Sequence, residues 1–241
     1  MKAFLPRIRG FSLIELMVVI FIIAIIAAFV VPAASTVLRG SQLTQGSQIL
    51  YDQFSLARQY ALSKNHPVEV RLIRYADPET PGEASANGGP GPATNGQFRA
   101  VQIFETLDAI DPSTNDFVRV PLDKPAILPQ AIVMTNSELS SLIVAAVGPA
   151  ARMPSVPSYG TPSSKDPQMP RNVGTQYDFA FFRFMPDGST NLPPASGAVW
   201  CVTLLNINDL VQGTTPANFY CLQVDPVSGA MKQYRPGIAP Q

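Results

Sequence analysis

The sequence is poor in the residues on which enzyme active sites and metal centres are usually built. Its 241 residues include one histidine, His66, together with two cysteines and one tryptophan. No His-Glu-x-x-His motif, nucleophile elbow or Ser-His-Asp set can be assembled from them. Because His66 directly precedes Pro67 at a predicted helix end, we interpret it as a structural boundary residue. We therefore expect neither an enzyme nor a bound metal or other cofactor.

Charge is also scarce and is balanced. Only 14% of residues are charged, and 17 basic residues face 17 acidic ones. This balance gives the whole chain no electrostatic footprint for nucleic acid, so nucleic acid is not an expected partner. The 24 prolines and 16 glycines instead indicate a domain rich in loops and β-strands.

The feature that stands out is a long apolar segment behind a short basic leader. Residues 16–31 contain no polar side chain, and the leader ends in Arg9-Gly10, directly before Phe11. One carboxylate, Glu15, lies near the start of the apolar run. A membrane-spanning helix needs roughly 20 apolar residues, so residues 11–34 are predicted to span a membrane. A carboxylate within such a span is costly and is a functional hypothesis by default.

These residues resemble the signal of type IV prepilins. In that family a prepilin peptidase cuts after the glycine and methylates the new amino terminus. The resemblance implies cleavage between Gly10 and Phe11, N-methylation of Phe11, and an assembly contact at Glu15. The cation nearest to Glu15 would be the new amino group of Phe11, from its own chain or from a neighbouring subunit, and pairing across subunits would set the register of assembly. It further implies an inner-membrane assembly platform, other pilin or pseudopilin subunits and membrane lipid as partners, with the N-terminus cytoplasmic and the head periplasmic.

Two ordinary explanations compete with this one. A secretory signal peptide could be cut after Ala34, but its apolar region is expected to be only about 7–15 residues long. A generic signal anchor explains the hydrophobicity equally well. Neither explains why Gly10-Phe11 and Glu15 occur together, so we favour the prepilin interpretation.

Beyond the apolar run, a helical pattern continues to about Lys64. Pro32 is expected to kink this helix, because proline removes a backbone donor and clashes with the preceding turn. One apolar face follows helical spacing; it consists of Leu43, Leu50, Phe54, Ala57 and Ala61. Asn65 and Pro67 are expected to end the helix. The predicted divisions are a leader (1–10), a membrane and assembly helix (11–34), an amphipathic half (35–65) and a head (66–241).

The head is predicted to be an antiparallel sheet, which gives an α+β, type IV pilin-like fold with the long N-terminal helix packed on the sheet. Strands are expected at 68–75, 98–107, 131–135 and 177–184, and a short helix capped by Ser137 at 137–147. Two further strands, 199–205 and 219–224, precede a final hairpin turn at 224–231. Proline- and glycine-rich loops are predicted at 76–97 and 148–172, and the first is interpreted as a flexible linker.

The two cysteines, Cys201 and Cys221, lie in two neighbouring β-like runs. If these runs pair antiparallel, the cysteines approach each other, and an oxidising compartment would permit a disulfide. Two buried free thiols are the alternative. A metal site built on the two thiols lacks further ligands.

Two internal stretches narrow the resemblance. Residues 48–68 and 182–189 are similar to the H-class minor pseudopilins of type II secretion and to related minor pilins. The overall pattern, including residues 39–46 and 75–79, resembles the prepilin-like Verru_Chthon cassette protein D family more closely. That family has no settled role.

The sequence leaves three other activities open for the head. DNA uptake would need Arg71, Arg74, Arg99 and Arg119 on one face as phosphate contacts. A calcium site would use Asp187, Asp209 and Asp225, which turn chemistry also explains. The interpretation as an adhesive tip pilin is based only on the two long loops. The expected function is a structural minor pilin or pseudopilin subunit.

Overall fold

The computed structural model describes residues 12–85, 89, 91–112, 116–147, 157–194, 199–210, 216 and 218–236, without the side chains of residues 29–36. The chain divides into two compact units, residues 1–41 and 42–241. Within the described residues, helices and antiparallel strands give an α+β fold, which confirms the predicted fold class.

The first element is helix α1, Leu13–Lys64. It ends where the sequence predicts, because Asn65 takes a left-handed conformation (φ 56°) and Pro67 cannot continue the helix. The Lys64 ammonium donates to Glu105 Oε2 at 2.8 Å, and His66 Nδ1 lies 3.0 Å from Glu105 Oε1. These contacts attach the helix end to the sheet, so the single histidine is indeed at a structural boundary.

Besides turns and loops, the rest of the described chain contains ten strands, one short α-helix and two single-turn helices, Ala93–Asn95 and Ile207–Asp209. The strands are β1 Val68–Tyr75, β2 Gln97–Asp111, β3 Asp116–Pro121, β4 Ala126–Ile127, β5 Ile132–Met134, β6 Ser158–Gly160, β7 Tyr177–Phe184, β8 Trp200–Asn206, β9 Tyr220–Val224 and β10 Met231–Tyr234. The short helix α2, Ser141–Val147, lies between β5 and β6.

All ten strands join one sheet in the order β10-β9-β8-β5-β2-β1-β7-β6, and β3 and β4 also pair with β2. Alternate residues of β1 face opposite sides of this sheet, as strand geometry requires. Val68, Val70 and Leu72 face the second half of α1. The five predicted apolar helix residues are all buried there, with Leu43 the most exposed at 2%.

The opposite face of the sheet has a smaller core that includes Ile73, Tyr75 and Phe179. It is covered by residues 161–176, which we call the strap. Met169 and Val173 of the strap are buried in this core, and Tyr177, at the start of β7, donates to the Pro167 carbonyl at 3.0 Å. The part of the loop predicted at 148–172 that the structure describes is therefore folded onto the sheet.

Several sequence predictions require correction. Strands β3 and β4 were not predicted, and strand β6 lies within the loop predicted at 148–172. Helix α2 begins at Ser141, and Ser137 is not its cap; the Ser137 carbonyl accepts instead from the Ser140 amide in a preceding turn. The predicted linker at 76–97 is packed in its described part, because Asp77 and Glu83 are buried.

Candidate functional site: the N-terminal segment and the charged face of the head

The N-terminal segment of α1 presents apolar side chains around its whole circumference. From Leu13 to Ile26 the large hydrophobic residues are between 45% and 79% exposed. Exposed apolar surface of this extent is typical of contacts with lipid or with other proteins. Gly10 and Phe11, the predicted cleavage and methylation residues, lie outside the described residues.

Ser12 caps the start of this helix. The Glu15 amide donates to Ser12 Oγ at 3.2 Å and to the Ser12 carbonyl at 3.1 Å, and the Leu16 amide donates to the same carbonyl at 3.2 Å. These bonds satisfy backbone donors that have no partner within the helix. The Glu15 carboxylate accepts no hydrogen bond from the described residues. Glu15 lies in the first helical turn, where the helix dipole favours negative charge.

Pro32 lies within α1, and the helix continues through it. Its side chain is outside the described part of the structure, so the kink remains a prediction. Among the described residues, no helix is both long and apolar enough to cross a membrane. The single-pass topology predicted for residues 11–34 is therefore not confirmed.

On the strap side of the head, one buried carboxylate accepts hydrogen bonds from three arginines. Glu69 has no exposed surface. Its Oε1 accepts from Arg71 Nε at 2.7 Å, and its Oε2 accepts from Arg119 Nε at 2.9 Å and Arg183 Nη2 at 3.0 Å. Glu69 thus links strands β1, β3 and β7 through charge-assisted bonds.

Arg71 itself is almost fully buried between two aromatic rings. Its guanidinium carbon lies 4.1 Å from the ring centroids of both Phe104 and Phe179, a cation–π geometry. Its Nη1 donates to Asp166 of the strap at 2.8 Å. Burial raises the pKa of Asp166, but the charge of Arg71 and hydrogen bonds from Ser163 outweigh it and leave that pKa below its ordinary value. Asp166 is therefore a fixed anion that ties the strap to β1.

A second buried cluster of charged side chains holds the segment after β1 that was predicted to be a flexible linker. Arg99 Nη2 donates to Glu83 Oε1 at 2.6 Å, and its Nη1 lies 3.3 Å from Asp77 Oδ2. Arg171 of the strap donates to the same Asp77 oxygen at 2.7 Å. Burial raises the pKa of Glu83. The cluster joins the loop after β1, strand β2 and the strap.

The four arginines that DNA uptake would need as phosphate contacts are paired with carboxylates of the head. Arg71, Arg99 and Arg119 pair with the carboxylates described above, and Arg74 Nε donates to Asp178 Oδ1 at 2.8 Å. The most exposed of these four arginine side chains, Arg119, is 18% exposed. None of the four is positioned as a free phosphate contact, which removes the observation on which the DNA-uptake alternative rested.

A cleft of 370 Å³ lies between the β2–β3 hairpin and the strap, and its lining includes Glu69, Arg119, Phe117 and Tyr159. The charged side chains that line this cleft are paired with one another through the contacts described above. The sequence signal for this face was the alternation of Glu69 and Arg71 with apolar residues in one strand, which places charges on a face of a central strand. The burial of these two charges was not predicted from the sequence.

The predicted pairing of the two cysteine-bearing strands is confirmed, since β8 and β9 are antiparallel neighbours. The register, however, places Cys201 opposite Gln223 and Cys221 opposite Thr203. The cysteines are diagonal neighbours, and both are free thiols with partly buried side chains. Cys201 Sγ donates to the Leu139 carbonyl at 3.3 Å. Both are free thiols in this structure, and the disulfide stays a prediction.

The three turn aspartates do not converge on a metal site. Asp187 accepts from the Ser189 amide at 2.9 Å, and Asp225 accepts from the Val227 amide at 3.1 Å. Asp209 lies in a separate single-turn helix, residues 207–209. Within the described ranges, no group of three or more histidine, cysteine or acidic side chains could hold a metal ion.

Comparison with known proteins gives one match of direct relevance to the N-terminus. Residues 5–31 match the family described as the prokaryotic N-terminal methylation motif. The chain therefore carries a prepilin-type N-terminal motif, and the matched segment covers the junction at Gly10-Phe11, the Ser12 cap and Glu15.

The other comparisons add little. No curated protein matches the chain. The chain is similar to the minor pseudopilin EpsH from the type 2 secretion system of Vibrio cholerae, at 8% identity over 82% of this chain and 99% of that chain, with a TM-score of 0.38. A TM-score this low at this identity is insufficient to assign a common fold.

Proposed function

We propose that this chain is a minor pilin or pseudopilin, a structural subunit that is processed by prepilin peptidase and assembled through its N-terminal helix. The filament would be a type IV pilus-like fibre or the pseudopilus of type II secretion. The observation that carries the proposal is the methylation motif at residues 5–31, located at the start of an exposed apolar helix.

The two halves of α1 support two different tasks. Residues 13–26 are apolar and exposed, which suits contact first with membrane lipid and then with the helices of other subunits. The apolar face made by Leu43, Leu50, Phe54, Ala57 and Ala61 is buried against the sheet and holds the head to the helix. One helix would thus provide both the anchor and the scaffold of the head, with the inner-membrane assembly platform moving the processed subunit from lipid into the filament.

Glu15 would supply the contact that sets the register of assembly. Its carboxylate has no hydrogen-bond donor among the described residues, and a carboxylate in lipid or in a helix bundle requires a cation. Cleavage between Gly10 and Phe11 would create one, the N-methylated amino group of Phe11. Pairing between Glu15 of one subunit and this amine of its neighbour would relieve the cost of burial.

Replacing Glu15 tests this role. We expect Glu15→Ala and Glu15→Gln to be cleaved normally but to be depleted from isolated filaments, because both lack the charge. Glu15→Asp, which retains the charge on a shorter side chain, is the matched control and should incorporate better than either. Normal incorporation of Glu15→Gln would refute the charge-pairing role.

A further inference from the structure

Two depressions lie side by side at the start of the strap, on the face of the sheet opposite α1. The first is the cleft of 370 Å³ between the β2–β3 hairpin and the strap. The second has a volume of 510 Å³ and is lined by residues 92, 93, 161–164 and 175–177; we call it the strap groove. Thr161 and Ser163 line both depressions, so the cleft and the strap groove are adjacent parts of one surface.

The strap groove presents uncharged polar groups. Among the described residues, its lining contains no charged side chain. Ser164, Thr175 and Gln176 are exposed there, and their side chains have no hydrogen-bond partner in the described part of the chain. Their hydroxyl and amide groups are therefore available to a ligand that both donates and accepts hydrogen bonds.

The cleft contains many charges, but they balance. Among the described residues, four carboxylates and three cations line it, and a fourth cation, Arg183, donates to Glu69 Oε2 at 3.0 Å. The lining groups are Glu69, Asp111, Asp116 and Asp166, with Arg71, Arg119 and Lys165. Each carboxylate lies 2.8 Å or less from one of these cations. A charged ligand would have to break such a pair, whereas a neutral ligand leaves all of them intact.

The cleft also supplies aromatic surface. Phe117 and Phe181 line it, and Phe117 is 44% exposed. Because residues two apart on a strand share a face, Phe117 lies on the same face of β3 as Arg119. Arg119 donates through Nε to Glu69 at 2.9 Å and through Nη2 to Asp116 at 2.7 Å, which fixes its guanidinium plane. Its Nη1 has no partner among the described residues and is a fixed donor beside the exposed ring.

These features define the chemistry of a ligand. It would be uncharged, carry hydroxyl groups around its rim and have a C–H face that stacks on an aromatic ring, as a pyranose sugar does. Both volumes are within the range of about 300–1,000 Å³ that is usual for small-ligand sites. Nucleic acids and phospholipid headgroups are anionic and match neither depression.

We propose that the head binds a neutral oligosaccharide, with one sugar ring in the cleft against Phe117 and the next in the strap groove beside Gln176. Arg119 Nη1 donates to a hydroxyl of the first ring. The paired charges and the folded strap hold these groups in place before binding, which lowers the cost of ordering them. This inference goes beyond the proposed function and does not depend on cleavage or assembly.

Binding by the full chain tests the proposal. The protein is purified in a zwitterionic detergent without a sugar headgroup and is applied to an array of immobilised neutral and acidic oligosaccharides. We expect it to retain neutral oligosaccharides and not their sulfated or sialylated counterparts. Titration of the best neutral oligosaccharide in solution should give the same Kd at about 0.05 and about 0.5 M salt, because an uncharged ligand is not screened.

Two variants locate the site, each with a matched control. Phe117→Ala should weaken binding about tenfold through loss of the stacked ring. Tyr234→Ala, which removes a ring of 43% exposure at the far edge of the sheet, should not weaken it. Gln176→Ala should weaken binding about fivefold through loss of a hydrogen bond. Gln168→Ala, which removes an exposed amide of the strap outside both depressions, should leave binding unchanged.

Thermal midpoints show whether the variants fold. Gln176 is exposed, so its replacement should leave the midpoint unchanged, and it decides the test if Phe117→Ala is destabilised. Retention of no neutral oligosaccharide, or a preference for acidic ones, would overturn the proposal. Unchanged affinity in Gln176→Ala, or an equal loss in the two controls, would also overturn it. None of these results bears on cleavage after Gly10, so the proposed function stands or falls separately.

Discussion

The carboxylate of Glu69 accepts a hydrogen bond from Arg71 Nε at 2.7 Å, in a pair whose side chains are 0% and 2% exposed. Two residues apart on one strand, both side chains face the strap side of the sheet. Removing a charge from water costs several kcal/mol, so an arrangement of this kind is stable only when every charge has partners. Here Glu69 has three arginines, and Arg71 has a second carboxylate and two aromatic rings.

The first prediction concerns the charge of Glu69. Glu69→Gln leaves three arginines without their shared anion and should lower the free energy of unfolding of the head by about 3–5 kcal/mol. Glu79→Gln is the control, since Glu79 is an exposed carboxylate 3.6 Å from Arg171, and exposed pairs are worth at most about 1 kcal/mol. Urea denaturation followed by tryptophan fluorescence measures both. Equal effects would show that the Glu69 cluster does not stabilise the head.

The second prediction is a pH dependence at Asp166. Because its pKa is lowered in the folded protein, its contribution to stability is complete above the ordinary aspartate pKa of about 3.9 and is lost as the pH falls through the lowered value. The difference in unfolding free energy between the unaltered protein and Asp166→Asn should therefore shrink as the pH falls below about 4. A difference that stays constant from pH 6 to pH 2 would contradict the ion pair with Arg71.

The third prediction compares two glycines with similar backbone angles. Gly229 (φ 62°) and Gly174 (φ 59°) are both left-handed, but a Cβ on Gly229 would lie 2.1 Å from the Gly188 carbonyl oxygen, whereas one on Gly174 would meet nothing within 4 Å. Gly174→Ala should cost only the left-handed conformation, roughly 1–2 kcal/mol. Gly229→Ala should cost distinctly more, as judged by the shift in thermal midpoint. Equal costs would mean that the turns at 188 and 229 are not in contact.

The fourth prediction concerns the thiols. In this structure Cys201 and Cys221 are free thiols at diagonal positions of two paired strands. We expect denaturing alkylation of protein purified without reductant to label both Cys201 and Cys221. A mass lower by two protons with no label would show that the strands shift to form the bond.

The elements that could be predicted from sequence are those with strong local patterns. Strands β1 and β7 have the predicted bounds because each is a dense run of β-formers next to a clear terminator, and the end of α1 is fixed by Asn65 and Pro67. Helix α2 was placed too early, because Ser137 resembles a cap but starts a preceding turn instead.

The charged face could not be predicted because its partners are distant in sequence. Glu69 and Arg183 lie 114 residues apart, and nothing local to either indicates the other. Strand β3 was missed for a related reason. Its residues are largely exposed, and buried and exposed positions alternate only weakly along it. Its pairing with β2 therefore depends on the hairpin. At the N-terminus, by contrast, the junction and Glu15 were recognisable from residue types alone, while the cap at Ser12 emerged only from hydrogen bonds.

The central claim is that this chain is a prepilin-type subunit, and the mass of its N-terminus in native membranes tests it most directly. We predict a mature chain that begins with N-methylphenylalanine at position 11 and that is replaced by the unprocessed form when prepilin peptidase is removed. A chain that retains Met1, or one cut after Ala34, would contradict the account, because it would identify an ordinary anchor or an exported protein.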